Sequence, residues 1–255
     1  MGDAFTAAGR RVLLVEDDAS IARFIDMALE DLGLELTLCA DVEAALASLR
    51  HQPARLIITD LMLPGLSGYD FLDRLHAEPA LCGDAKVVIF SAGLGTETPT
   101  RLDGRSVWRT LRKPASVAQL RACVQDALDD EGAAQPPSAG VAQDEAAPSE
   151  CPDGEAIAAY FGGDAALFRA YRAKCLAQFP HDLAAGDAAL QAAELAVLQR
   201  LSHSLATVFR TLGWAGDSAV AKQLEAFAAA GDASASAVEW GRLRSRLAGA
   251  DGRCT

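Results

Sequence analysis

Between residues 12 and 128, short apolar runs alternate with stretches of helical period, and this alternation limits the fold more than any other feature of the chain. Val12-Leu13-Leu14-Val15 precedes Ile21, Phe24, Ile25, Ala28 and Leu32. Leu34, Leu36 and Leu38 precede Val42, Ala45, Leu46 and Leu49, and Leu56-Ile57-Ile58 precedes Phe71, Leu72 and Leu75. Val87-Val88-Ile89-Phe90 follows, then Val107 and Trp108 to Leu111, and Val117, Leu120, Val124 and Leu128 close the series. Successive βα units call for a parallel sheet covered by helices. Runs one, three and four are continuously apolar, as strands buried on both faces require, whereas runs two and five mix polar with apolar residues as edges do. A doubly wound five-stranded sheet of order 2-1-3-4-5 satisfies both conditions. The fourth helical stretch, GLGTETPTRLDGRS, contains Pro99 and Gly104 and lacks helical periodicity, so an irregular or mobile segment is expected there.

Residues 131–152, EGAAQPPSAGVAQDEAAPSECP, contain no aromatic residue and too little apolar surface to offset the entropy lost on ordering; they are expected to form a flexible linker. After it the strand pattern disappears. Phe168, Tyr171, Cys175, Phe179, Leu183 and Leu190 recur at helical spacing, as do Leu195, Leu198, Leu205, Phe209 and Leu212. Val220, Leu224 and Phe227, then Val238, Leu243 and Leu247, continue the pattern, which predicts an antiparallel helical bundle. The expected organisation is a tail at 1–10, an α/β domain at 11–130, the linker at 131–152 and an all-α domain at 153–255.

The formal charge of −12 divides unevenly. Residues 1–130 carry 13 basic and 20 acidic groups, 131–152 carry 0 and 4, and 153–255 carry 10 and 11. A broad basic surface for nucleic acid is therefore not expected. The six cysteines form no CxxC pair, which argues against a zinc site or a disulfide framework. No apolar run reaches the roughly 18 residues of a spanning helix, and MGDAFTAAGRR lacks the apolar core of a signal peptide. Gly2 and Thr6 fit only a loose myristoylation pattern. A soluble cytoplasmic protein without membrane partners is expected.

In a sheet of the inferred order, ligands bind beyond the carboxyl ends of the strands, at the crevice between strands one and three. Glu16 and Asp17 follow strand one and Asp60 follows strand three, so three carboxylates converge there. Such clustered charge needs a cation. Mg²⁺, which takes one or two carboxylates and keeps positions for water and phosphoryl oxygens, suits it best. Ser91 ends strand four and Lys113 ends strand five, adding a hydroxyl and an ammonium. Together these groups describe a phosphoryl-transfer site. Asp18 is expected to start the next helix, outside the metal shell.

Over residues 11–130 the chain resembles the receiver domains of two-component response regulators. The matching motifs are LLVEDD at 13–18, Asp60 and Pro64-Gly65 of TDLMLPGLSG at 59–68, FSAG at 90–93 and RKPAS at 112–116. The resemblance implies a flavodoxin-like α/β fold with Asp60 as phosphoacceptor, and Glu16, Asp17, Asp60 and the Met62 carbonyl holding Mg²⁺ directly or through water. It also implies that Ser91 and Lys113 bind phosphoryl oxygens and that the Lys113-Pro114 bond is cis. Receivers usually carry an aromatic residue three positions before the lysine. Here Thr110 stands there, with Trp108 two residues earlier on the same side of the strand, which puts switch coupling through that position in question.

Of the four histidines, His51, His76 and His181 are weak candidates. His203 is set apart by its helical phase: at 100° per residue it lies about 120° to 200° from the stripe of Leu198, Leu201, Leu205, Phe209 and Leu212. It is therefore expected to face water, with Gln199, Arg200, Ala206, Thr207 and Arg210 on its side of the helix. An imidazole nitrogen can accept a phosphoryl group, and Arg200 or Arg210 could support the resulting charge. LAVLQRLSHSLATVFRTLG at 195–213, followed by KQLEAFAAAGD at 222–232, resembles a histidine phosphotransfer (HPt) domain over roughly 153–250. That resemblance implies a phosphohistidine at His203. The family's usual Lys and Gly, three and four residues later, are here Ala206 and Thr207, so a phosphate-binding cation is missing.

The expected function is a phosphorelay. Asp60 takes a phosphoryl group from a partner sensor histidine kinase, and His203 exchanges phosphoryl groups with a receiver aspartate, its own or another protein's. The alternative is a phosphorylation-dependent binding switch whose helical domain is a docking surface with an inactive His203. A metal-dependent phosphatase acting on exogenous substrates lacks a visible second catalytic acid and lid.

Overall fold

The computed structural model describes residues 10–92, 102, 105–129 and 152–248. The expected tail, apart from Arg10, lies outside these residues. So do the linker apart from Pro152, most of the segment around Pro99 and Gly104, Gly93 of the FSAG motif, and Cys151 and Cys254. The described residues form two compact units that divide between Glu150 and Cys151. No helix among them is long and apolar enough to cross a membrane.

The first unit is a five-stranded parallel sheet of order β2-β1-β3-β4-β5, the predicted topology. Its strands are β1 Arg11–Val15, β2 Glu35–Cys39, β3 Leu56–Thr59, β4 Lys86–Ser91 and β5 Arg109–Arg112. The three inner strands are buried almost throughout, while β5 alternates half-buried and exposed positions and β2 is largely open. Among the described residues four helices alternate with the strands: α1 Ala19–Leu29, α2 Val42–His51, α3 Gly68–Ala77 and α4 Val117–Asp129, with one further helical turn at Pro79–Cys82. Polar side chains set their starts. Asp18 Oδ1 accepts from Ile21 N at 2.8 Å, as expected for a helix-starting acid, and Asp41 Oδ1 accepts from Ala44 N at 2.7 Å. Ser67 and Asp70 form a reciprocal capping box at α3. At the opposite end of the sheet from these caps, the buried Arg11 joins three elements by donating to Ser48 Oγ at 2.6 Å, to Thr37 Oγ1 at 3.3 Å and to the Gln52 carbonyl.

The second unit is an all-helical bundle: α5 Pro152–Phe161, α6 Ala165–Gln191, α7 Leu195–Thr211, α8 Ala215–Ala229 and α9 Ala233–Ala248. Its core contains Phe168, Tyr171, Cys175, Phe179, Leu198, Leu205, Phe209, Leu224, Trp240 and Leu243. Helix α6 runs through Pro180. A proline there forfeits one backbone hydrogen bond. The adjacent Phe179 ring packs at 5.8 Å from Phe209 and 5.9 Å from Trp214, which holds that stretch to the bundle. Val238, expected on the packing stripe of α9, is 57% exposed. Trp240 takes the core position instead, its Nε1 donating to Asp187 Oδ1 at 2.8 Å.

Gly186 makes room for that indole: a Cβ built there would lie 2.1 Å from Trp240 Cη2 and Cζ2. Helix propensity alone favours alanine over glycine by about 1 kcal/mol. The clash reverses the sign, and Gly186→Ala should destabilise the helical unit by about 1–3 kcal/mol. Denaturant unfolding followed by far-ultraviolet circular dichroism and Trp fluorescence checks this.

Candidate functional site

The strand ladders carry the predicted site residues to one end of the sheet. Beyond the last residue pairs, Glu16 N donates to Cys39 O at 2.9 Å, Asp60 N to Val15 O at 3.1 Å and Lys113 N to Ser91 O at 3.1 Å. Each side chain therefore leaves the sheet at nearly the same level, and Glu16, Asp60, Ser91 and Lys113 are all buried. Lys113 Nζ joins the two acids, at 2.6 Å from Asp60 Oδ2 and 2.5 Å from Glu16 Oε2. The other oxygen of Asp60 accepts from Leu61 N at 2.5 Å and Met62 N at 3.2 Å. The Lys113-Pro114 bond is cis.

Two polar atoms in this crevice, Glu16 Oε1 and Ser91 Oγ, are buried without a protein hydrogen-bond partner. Burial pushes the Glu16 carboxyl up to about 8, against the opposing charge of Lys113 and with help from Asp60 and Asp18. Burial likewise raises Asp17 to about 6, again opposed by Lys113. For Lys113 burial acts downward, but the charges of Asp60 and Glu16 outweigh it and hold the ammonium above its ordinary range. One ammonium cannot neutralise three carboxylates, so the cluster has room for further positive charge. Among the described residues no group of three His, Cys, Asp or Glu side chains is poised to hold a metal ion unaided. An oxygen-rich, charge-deficient crevice with an unpaired Glu16 oxygen nevertheless fits a hard dication that keeps several of its waters.

Gly68 closes the TDLMLPGLSG motif, which assigns it no role. A Cβ built on it would lie 2.1 Å from the Asp60 carbonyl oxygen, and its N–H donates to Leu61 O at 3.0 Å. The start of α3 thus rests directly on the backbone of Asp60. The Ser-Gly step immediately before the helical period was the available signal.

In the second unit His203 departs from expectation. It is only 5% exposed, and every residue from Ser202 to Phe209 is buried. The helical-phase argument placed it toward water because it gave α7 a single packed face, whereas α7 contacts α5, α6 and α8. Small polar residues tolerate this enclosure by bonding to the preceding turn: Ser202 Oγ donates to Leu198 O at 2.6 Å and Thr211 Oγ1 to Thr207 O at 3.0 Å. His203 Nδ1 lies 2.7 Å from Glu225 Oε1 on α8, and Nε2 is buried without a partner. Glu225 was not foreseen, since pairing across helices depends on a register that one sequence does not disclose. Ala206 and Thr207 are buried, and Arg200 and Arg210 are half-buried. His51, His76 and His181 are exposed on their helices.

Two outcomes follow for the carboxylate crevice. A carboxyl whose folded pKa is raised favours the fold at low pH, and that contribution is lost as pH climbs through the folded value. With chelator present, stability linked to Asp17 and Glu16 should therefore fall from their ordinary values of 3.8 and 4.5 up to about 6 and 8 respectively, and Glu16→Gln should flatten the upper part of the decline in urea titrations. Gly68→Ala should lower the unfolding midpoint of the first unit, by about 1–3 kcal/mol of overpacking, because a backbone carbonyl cannot swing aside; the same titrations measure it.

Residues 12–125 match the family profile of the response regulator receiver domain. Among curated relatives, the transcriptional activator protein PfeR of Pseudomonas aeruginosa is 36% identical over 114 residues, 44% of this chain and 35% of that protein. The virulence sensor protein BvgS of Bordetella pertussis is 31% identical over 166 residues, 62% of this chain and 13% of that protein. The chain thus spans well under two thirds of either relative. Among solved structures, the receiver domain of sensor histidine kinase PA1611 from P. aeruginosa, determined with magnesium in its active-site cleft, is 27% identical, with a TM-score of 0.42 over 48% of this chain and 99% of that one. The Francisella response regulator 1452 receiver domain is 29% identical, with a TM-score of 0.43 over 47% of this chain and 97% of that one. The sheet order and the family match together identify the N-terminal unit as a response regulator receiver domain, here followed by an all-helical unit.

Proposed function

We propose that the chain is a cytoplasmic phosphorelay protein in which a receiver domain at 11–130 is followed by an HPt domain at 153–255. Asp60 accepts a phosphoryl group from the phosphohistidine of a partner sensor histidine kinase. The observation that carries this is the Lys113 bridge to Asp60 and Glu16 beside the unpartnered Ser91 hydroxyl. A carboxylate oxygen of Asp60 forms the new O–P bond as the donor's N–P bond breaks, and the donor imidazole leaves with its electron pair. Lys113 and Ser91 then have phosphoryl oxygens to pair with, and the backbone N–H groups of Leu61 and Met62 keep Asp60 oriented. Glu16, Asp17, Asp60 and the Met62 carbonyl would hold Mg²⁺ directly or through water, which would supply the positive charge that Lys113 alone does not.

His203 is the second phosphoryl carrier, exchanging with the aspartate of its own or another receiver. Nδ1–H donation to Glu225 leaves the Nε2 lone pair as the nucleophile and steadies the ring when it becomes positively charged on forming N–P. The pairings of His203 with Glu225 and of Ala206 with Ser218 run in opposite directions along α7 and α8, which supports the antiparallel bundle of an HPt domain.

The alternative is a binding switch in which phosphorylation of Asp60 alters partner affinity and His203 carries nothing. The enclosure of Nε2 and the absence of a cation at Ala206 favour it. Transfer profiling with radiolabelled kinases and receivers decides between the two. Asp60→Asn should abolish acceptance from kinase phosphohistidine, and His203→Gln should abolish passage to downstream receivers. If His203→Gln chains pass label as well as the parent does, the relay is wrong; if they retain only phosphorylation-dependent partner binding, the switch stands.

A further inference from the structure

A phosphoryl group on His203 would place a dianion next to the Glu225 carboxylate, and Ala206 offers no charge to offset it. The second unit contains a cavity of about 350 Å³ lined in part by Tyr160, Arg210, Ser218 and Lys222. Its position relative to His203 can be fixed through α8. Ser218, on the cavity wall, donates its hydroxyl to the Ala206 carbonyl at 2.8 Å. Seven residues further along α8, Glu225 reaches His203 at 2.7 Å. These two anchors lie only about 20° apart around the helix, and Lys222 falls between them, four residues after one and three before the other. It therefore projects from the turn of α8 that faces residues 203–206 of α7, the stretch in which the lysine is absent. The Lys222 side chain is exposed and lines the cavity beside Glu155 and Arg210. Arg210 is farther away, two helical turns beyond His203 at a rise of roughly 10 Å.

Resting on the phosphorelay described above, we infer that Lys222 is the phosphate-supporting cation of the helical domain, acting from α8 in place of a lysine on α7. It pairs with phosphoryl oxygens as the N–P bond forms at Nε2 and the donor aspartate's P–O bond breaks. Glu225 orients the imidazole, and Lys222 offsets the charge that Glu225 would otherwise oppose.

The test uses full-length chains carrying Asp60→Asn, so that His203 is the intended acceptor, with phosphoramidate as phosphodonor and base-stable, acid-labile phosphate as the readout. Lys222→Gln should slow labelling about fivefold or more, and Lys222→Arg should restore most of the rate, because a charge-assisted contact is sought. Thermal midpoints of all three chains should agree. Unchanged labelling in Lys222→Gln, failure of the arginine rescue, or a lowered thermal midpoint would each overturn the role of Lys222 while leaving His203 as acceptor. A chain with His203 intact that takes no label at all removes the active histidine, and this inference with it.

Discussion

The ammonium of Lys113 is the contact around which the receiver is organised. It draws together acids from β1 and β3, carried by a lysine from the end of β5, across a crevice closed to solvent. Removing one partner of such a buried charge group leaves the others uncompensated, so the three strands are tied electrostatically as well as through their ladders. The arrangement still falls short of neutrality. That shortfall leaves the crevice able to take a dication, and it distinguishes this cluster from a buried ion pair whose charges are already matched.

The helical domain meets a similar demand differently. Its histidine sits within a helix packed on several sides, with one nitrogen bonded to an acid and the other enclosed. Pairing the imidazole with a carboxylate would stabilise a cationic ring but work against any anion attached to it. Ala206 and Thr207 provide no positive charge there, and Arg200 and Arg210, which flank His203 along α7, are half-buried. The two domains therefore share one electrostatic problem. The receiver meets it with a buried lysine at a strand end, and the bundle would meet it with an exposed cation on a neighbouring helix.

Much of the receiver was legible in the sequence because continuous apolar runs identify central strands, and topology then dictates where acids after those runs must meet. Glu16, Asp60, Ser91 and Lys113 converged for that reason. Asp18 was legible as a helix start because capping depends on three neighbouring residues only. The environment of His203 was not legible. Helical phase assumes one buried face, yet Ser202, Ala206 and Thr207 are small enough to let neighbouring helices close around the histidine, and the Ser202 and Thr207 hydroxyls hide by bonding to carbonyls one turn back. Glu225 and Lys222 depend on the register between two helices, and Trp240 displaced Val238 from the core because Gly186 leaves a recess that only the folded partner defines.

The contact between Gly68 and the Asp60 carbonyl also ties Asp60, the proposed acceptor, to a more distant part of the receiver. With no side chain between them to absorb displacement, the first turn of α3 must follow any movement of the Asp60 backbone. Farther along α3, Asp73 binds Arg105 Nε at 2.7 Å, and Tyr69 lies 5.9 Å beneath the same guanidinium. Arg105 stands just before β5, so α3 links the backbone of Asp60 to the approach to another strand. The helix acts as a stiff rod, with glycine as its bearing and an arginine clasp at its far side.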